Sequence, residues 1–119
     1  MNPSSPKPVV LCFSGLDPTG GAGIQADIEA ISSQGCHTAP IITALTVQNT
    51  HNVEDFQPVE AQLLIQQARS VLEDMPVTSI KIGMLGSIEV TEAIHSLLRD
   101  YPKLPVIFDP VMSAGGGSA

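Results

Sequence analysis

A glycine-rich turn constrains the fold of this chain more than any other stretch. It runs Ser14-Gly15-Leu16-Asp17-Pro18-Thr19-Gly20-Gly21-Ala22-Gly23-Ile24-Gln25-Ala26-Asp27. An apolar run at residues 9–13 precedes it, and Ile24, Ile28 and Ile31 then recur at the spacing of one helical face. The turn therefore joins a β-strand to an α-helix. Open α/β sheets bind small molecules at such strand ends.

The glycines of this turn allow a backbone to lie close to a ligand, because Gly20, Gly21 and Gly23 carry no Cβ. The unpaired amides at the start of the helix can hold a negative or electron-rich group. A tight connection without a ligand is the alternative. The G-x-G-x-x-A pattern of dinucleotide sites is present, but no acidic residue follows about 20 positions later, and the turn lacks the lysine of a P-loop. Both nucleotide loops are disfavoured.

Composition limits the possible partners. The chain has 119 residues, 43% of them hydrophobic and 14% charged, which favours one globular domain. Its net charge of −7, with only five Lys and Arg, argues against nucleic acid and anionic membranes and favours a small-molecule partner. Residues 1–8 are predicted to be a disordered tail without a secretory signal, so a cytoplasmic location is expected. Cys12 and Cys36 are predicted to be reduced, buried thiols.

Strands and helices are predicted to alternate along the chain. Strands are expected at residues 9–13, 38–45, 79–84 and 106–109, and helices at residues 23–34, at 59–73 and after a Ser87 cap, with a short extra strand or flap at 53–56. This order predicts a mainly parallel sheet covered on both faces. Turns at residues 15–27, 46–52, 83–86 and 109–112 should then converge on one crevice.

The crevice would contain residues suited to a flat heterocycle. Gln48 offers an acceptor and two donors, and Met84 and Val111 can form apolar walls. Gln48 could instead bond its own loop, and the two apolar residues could belong to the core. Asp109, at a strand end, could hold a divalent cation or cap a turn.

Two charged residues on regular elements are also candidates. Lys81 lies in the middle of an apolar strand, where an unpaired ammonium is unfavourable. It should therefore reach solvent or pair with a carboxylate or a phosphate, and the phosphate would make it a cofactor-binding residue. Asp27 lies near the start of the first helix, where stabilising the helix competes with ligand binding as its role.

Four segments together resemble the hydroxymethylpyrimidine/phosphomethylpyrimidine kinases of thiamine biosynthesis. They are the glycine-rich turn, Thr43-Ala44-Leu45-Thr46-Val47-Gln48-Asn49-Thr50, Lys81-Ile82-Gly83-Met84-Leu85 and Asp109-Pro110-Val111-Met112. The resemblance implies a ribokinase-like three-layer α/β/α fold. It also implies phosphorylation of 4-amino-5-hydroxymethyl-2-methylpyrimidine, and then of its monophosphate, with ATP and Mg²⁺. By position, the pyrimidine pocket of the family would fall on Gly15, Asp27, Gln48, Met84 and Val111.

The resemblance covers only the amino-terminal half of such kinases, truncated after about the fourth core strand. Residues 9–119 are therefore expected to form the amino-terminal part of a kinase domain. The catalytic base, the anion hole and most of the nucleotide site are expected in the other half, so the chain alone should be nearly inactive. An uncovered sheet edge predicts self-association. A pyridoxal kinase and a non-catalytic pyrimidine-binding module remain the alternatives.

Overall fold

A five-stranded sheet forms the centre of the computed structural model, which describes residues 7–109. Strands and helices alternate as the sequence predicts, and the strand order across the sheet is β3-β2-β1-β4-β5. The elements are β1 (Val9–Leu16), α1 (Gly23–Ser33), β2 (His37–Gln48), β3 (Val53–Pro58), α2 (Ala61–Asp74), β4 (Val77–Ile82), α3 (Ile88–Arg99) and β5 (Val106–Phe108). Neighbouring strands are parallel except for β2 and β3, which are antiparallel.

Helices cover both faces of the sheet. Leu11 and Phe13 of β1 belong to the core cluster with side chains of α2 and α3, whereas Cys12 contacts α1 through Asp27. Since successive side chains of a strand point to opposite faces, α1 lies on one side of the sheet and α2 with α3 on the other. This is the three-layer α/β/α arrangement expected from the sequence.

The core consists of apolar side chains from β1, β2, β4, α2 and α3. Leu11, Phe13, Leu64, Ile80 and Leu97 are all fully buried within it. Burying side chains of this size stabilises a fold by about 1.5–3 kcal/mol each. The core therefore fixes the position of the strand ends at which the candidate site lies.

All five strands differ from their predicted bounds by one to three residues at one or both ends, and β1 continues to Leu16 rather than ending at Phe13. β2 continues to Gln48 because its last residues pair with β3, for example Val47 with Asp55, so residues 46–48 belong to a two-stranded ribbon rather than to a loop. β4 ends at Ile82, although the backbone nitrogen of Gly83 still donates to the carbonyl oxygen of Phe13 in β1 at 2.8 Å. The extra strand expected at residues 53–56 is present as β3.

The helix ends follow local signals in the sequence. Ser87 caps α3 by accepting a hydrogen bond from the backbone nitrogen of Val90 at 3.1 Å, as predicted. Gly35, just after α1, has a φ of +79°. Among residues 7–109, no helix has both the length and the apolar character that crossing a membrane requires.

Candidate functional site

A solvent-open cavity lies at the carboxyl end of β1, with about 310 Å³ of empty space when the open solvent at its mouth is counted. Its walls come from the glycine-rich turn, the end of β2 and the turn after β4: Ser14, Gly15, Leu16, Asp17, Ala22, Gly23, Thr46, Gln48 and Met84. A second cavity adjoins it, with about 460 Å³ of empty space counted in the same way, and is lined by Asp17, Thr19, Gly21, Ala22, Gln48, Asn49 and Thr50. Asp17, Ala22 and Gln48 belong to both.

The structure brings together three of the five residues predicted for the pyrimidine pocket. Gly15, Gln48 and Met84 come from different elements and line the first cavity. Val111 lies outside the described residues. Asp27 does not line either cavity at this end of the sheet, because its carboxylate is bonded to Lys81 and Cys12. The ends of different strands therefore converge on one cavity, but the carboxylate of Asp27 does not line it.

The shape of the first cavity depends on a close approach of two backbones. Gly23 has a φ of +65°, and Leu16 and Gly23 form an antiparallel bridge. A Cβ added at Gly23 would overlap the carbonyl oxygen of Gly15, so no side chain fits there. This contact holds the start of α1 against the end of β1.

Asp17 and Pro18 open the turn in the sequence, and the carboxylate of Asp17 organises it through hydrogen bonds that the sequence interpretation did not include. Its Oδ1 accepts hydrogen bonds from the backbone nitrogen of Thr19 at 2.9 Å and from the Thr19 hydroxyl at 2.8 Å. Its Oδ2 accepts one from the backbone nitrogen of Ala22 at 3.0 Å. Burial raises the pKa of Asp17, but hydrogen bonds from Gln48, Thr19 and Ala22 outweigh it and hold the pKa below its usual value. An aspartate opening a turn, with threonine two residues later, was the available signal.

Lys81 pairs with a carboxylate, one of the outcomes predicted for it. Its Nζ lies 2.6 Å from Oδ1 of Asp27, and the two side chains are only 20% and 14% exposed. Burial lowers the pKa of Lys81, but the hydrogen bond and charge of Asp27 outweigh it, so the net shift is upward. The ammonium and the carboxylate therefore balance one another under α1.

Cys12 completes this cluster on the same face of the sheet. Its thiol donates to Oδ2 of Asp27 at 3.4 Å, and burial together with that carboxylate raises its pKa to about 12. The thiol therefore stays protonated at neutral pH. Both cysteines are free, as predicted, but Cys36 is only half-buried rather than buried.

Asp109 lies just beyond β5, and its side chain is exposed. Its backbone nitrogen donates to the carbonyl oxygen of Ile82 at 2.9 Å, and its charge helps to raise the pKa of Lys81. Within residues 7–109 there is no group of three or more His, Cys, Asp or Glu side chains that could hold a metal ion. Asp109 as a metal ligand therefore stays a prediction.

Two threonines attach β2 to the loops around the cavity, and nothing in the sequence singled them out for this. The Thr43 hydroxyl donates to the carbonyl oxygen of Met84 at 2.5 Å, and the Thr46 hydroxyl donates to that of Leu16 at 2.8 Å. Both bonds join segments that are more than 25 residues apart in sequence. They attach the turn after β4 and the glycine-rich turn to β2.

Known proteins share both the sequence and the fold of this chain. The phosphomethylpyrimidine kinase family model matches residues 17–119. The hydroxymethylpyrimidine/phosphomethylpyrimidine kinase of Haemophilus influenzae is 41% identical over 109 residues, which are 92% of this chain and 40% of that protein. The thiamine biosynthesis multifunctional protein ThiED of Corynebacterium efficiens is 43% identical over 95% of this chain and 15% of its own length.

Solved structures give the same result. The crystal structure of phosphomethylpyrimidine kinase from Clostridium difficile 630 superposes with a TM-score of 0.83 at 37% identity, covering 94% of this chain and 48% of that one. The pyridoxal kinase of Staphylococcus aureus in complex with pyridoxal superposes with a TM-score of 0.79 at 26% identity, covering 96% and 43%. The chain thus spans less than half the length of each of these relatives. By its sequence and its fold, this chain belongs to the phosphomethylpyrimidine kinase family.

Proposed function

We propose that this chain supplies the pyrimidine-binding half of a hydroxymethylpyrimidine/phosphomethylpyrimidine kinase of thiamine biosynthesis. The reaction would be ATP-dependent phosphorylation of 4-amino-5-hydroxymethyl-2-methylpyrimidine and then of its monophosphate. The observation that carries the proposal is the cavity at the end of β1, where Gly15, Gln48 and Met84 meet in a chain of this family. A cytoplasmic location belongs to the same proposal.

The cavity suits a flat nitrogen heterocycle. The Gln48 side chain provides both an acceptor and donors for adjacent amino and ring-nitrogen groups. Met84 provides an apolar wall, and the missing side chain of Gly15 lets the Met84 sulfur lie close to the backbone, only 3.0 Å from where a Cβ would stand. Val111 is proposed as a further wall and Asp27 as a more distant contributor, held in place by Lys81.

The phosphoryl-donor side is less complete in this chain. Asp109 is exposed at a strand end and has the hard oxygen donors that Mg²⁺ prefers, so it fits a magnesium ligand, and the ion would offset phosphate charge. Lys81 is the proposed contact to the cofactor, but its ammonium is already balanced by Asp27. We place the catalytic base and anion hole outside these residues, and we expect the chain alone to turn over little ATP.

Gln48→Ala is expected to weaken binding of the hydroxymethylpyrimidine about tenfold or more, because two hydrogen bonds to the ring would be lost. Isothermal titration of the wild-type chain and the variant measures this change. Gln25→Ala is the control, since Gln25 is exposed on α1 and, within residues 7–109, its side chain bonds only to Glu29. Equal affinities of wild type and Gln48→Ala would contradict the proposed pocket.

The pyridoxal kinase alternative is favoured by one observation, the superposition on the Staphylococcus aureus enzyme. Both substrates carry a hydroxymethyl group on a nitrogen heterocycle. A competition assay in which the pyrimidine and pyridoxal bind to the wild-type chain distinguishes the two proposed activities. The ligand that binds more tightly identifies the substrate class of the pocket. Binding of the pyrimidine without any ATP turnover would instead support a non-catalytic binding module.

We further propose that the isolated chain self-associates through β5, whose Val106, Ile107 and Phe108 are 41%, 55% and 59% exposed. Within the described residues β5 has a single neighbour, β4, so its other edge is open for pairing. Sedimentation velocity should show mass increasing with concentration. Ile107→Lys should reduce this association, and Glu92→Lys on the exposed surface of α3 should not. A compact monomer at all concentrations would contradict the proposal.

A further inference from the structure

The turn after β4, residues 83–86, crosses the end of β1 to reach β2. In the sheet, β1 lies between β4 and β2, so this turn must pass β1 before it contacts β2. The backbone nitrogen of Gly83 donates to the carbonyl oxygen of Phe13 in β1 at 2.8 Å. The Thr43 hydroxyl of β2 then donates to the carbonyl oxygen of Met84 at 2.5 Å. Within residues 7–109, this is the single hydrogen bond between the turn and β2, so Thr43 holds the far side of the crossing.

Close packing accompanies the hydrogen bond of Thr43. A Cβ added at Gly86 would stand 3.1 Å from the Cβ of Ala44 in β2, and one added at Gly15 would stand 3.0 Å from the Met84 sulfur. Thr43 itself is fully buried, so its hydroxyl needs a partner within the protein. That partner is the backbone of Met84, the residue that forms the apolar wall of the first cavity.

We propose that Thr43 is a positioning residue for ligand binding, because its hydroxyl fixes the backbone of Met84 and thereby holds the Met84 side chain against Gly15. This inference rests on the proposed function for its ligand. A methionine side chain has three rotatable bonds, so the surface that it presents depends on where its backbone is held. Thr43 lines neither of the two cavities and would act only through Met84. Without the hydroxyl, the Met84 carbonyl would turn toward water, and the wall of the cavity would move.

Three substitutions at residue 43 separate the hydroxyl from the shape of the side chain. Thr43→Val keeps the shape and removes the hydroxyl, Thr43→Ser keeps the hydroxyl, and Thr43→Ala removes both the hydroxyl and the methyl group. The readout without ligand is the methyl NMR resonance of Met84, assigned by its loss in Met84→Leu. We expect it to move toward the position of a solvent-exposed methionine in Thr43→Val and Thr43→Ala but not in Thr43→Ser. If Thr43→Val does not fold, Thr43→Ser and Thr43→Ala still differ by the hydroxyl alone.

Thr78→Val is the matched control for the resonance of Met84. The Thr78 hydroxyl donates to the carbonyl oxygen of Val9 at 3.2 Å, so it too joins neighbouring strands, but at the opposite end of β4 from Met84. Thr78→Val should therefore leave the Met84 resonance unchanged. The same Met84 resonance in Thr43→Ser and Thr43→Ala would overturn the inference, because the hydroxyl would then not set the position of Met84.

Isothermal titration with the hydroxymethylpyrimidine, at a temperature where each variant is folded, tests the consequence for binding. Thr43→Val and Thr43→Ala should bind about five to ten times more weakly than wild type, and Thr43→Ser should stay within about twofold of it. A merely structural role of Thr43 would lower stability without this difference in affinity, so equal affinities of Thr43→Ser and Thr43→Ala would contradict the inference. If the wild-type chain binds no pyrimidine, the proposed function fails, while the Met84 resonance still decides whether Thr43 positions the wall.

Discussion

Gly23→Ala is expected to destabilise the fold by roughly 2–5 kcal/mol, of which about 1–2 come from the left-handed backbone and about 1–3 from steric overlap. The overlap arises because the new Cβ would meet the carbonyl oxygen of Gly15, which is backbone and cannot move aside alone. Relief requires the start of α1 to move away from β1. Urea denaturation followed by circular dichroism measures the loss.

Gly35→Ala is the matched control for this prediction. Gly35 also has a positive φ, +79°, but nothing lies within 4 Å of a Cβ added there. Only the backbone strain remains, so the expected loss is about 1–2 kcal/mol. Equal losses in the two variants would show that the contact between Gly15 and Gly23 does not shape the turn.

Asp27→Leu is expected to destabilise the fold by about 2–3 kcal/mol, because it leaves the Lys81 ammonium half-buried without its partner. The loss is smaller than for a fully buried pair, since Lys81 is 20% exposed and can reach toward water. Asp27→Leu with Lys81→Met should recover most of the stability, because no unpaired charge remains. Failure of the second substitution to recover any stability would contradict this explanation.

The exposed ion pair of Arg69 and Asp100 is the control, because it differs from the pair of Asp27 and Lys81 in its burial. Its atoms are 2.8 Å apart, but the side chains are 41% and 54% exposed, so Arg69→Gln should cost less than about 1 kcal/mol.

The pH dependence of stability provides a second test of the buried pair of Asp27 and Lys81. Because the pKa of Lys81 is raised above 10.5, the stability from its charge is complete below that pH and is lost as the pH rises through the folded value. In Asp27→Leu with Lys81→Met, stability should fall less at high pH, because the loss that comes from Lys81 is absent.

The family and the layered fold could be predicted from the sequence because they depend on local patterns. Apolar runs, helical spacing, Gly35 after α1 and the Ser87 cap each act within a few residues, and the structure confirms them. The extended β2 could not be predicted in the same way. Its last residues are strand only because β3 pairs with them, and pairing partners are not visible in either segment alone.

The candidate site, too, could be predicted from the sequence only in part. The order of strands and helices was sufficient to predict that Gly15, Gln48 and Met84 would share a cavity, because parallel strands deliver their carboxyl ends to one edge. Asp27 was placed in the pocket by position in the family, yet its carboxylate lies against Lys81 and Cys12. Helix rotation and strand register decide that contact, and both are set by packing.

The sequence alone determined the class of fold, the family and the glycine turn, since backbone freedom and hydrophobic spacing are properties of the residues themselves. Only the tertiary structure decided which charges are partners and which residues line the cavity beside Gln48. Asp17 lines the same two cavities as Gln48, and Asp27 pairs with Lys81, across more than 30 residues of chain in each case. Such contacts depend on directions and distances in space, which the order of residues does not contain.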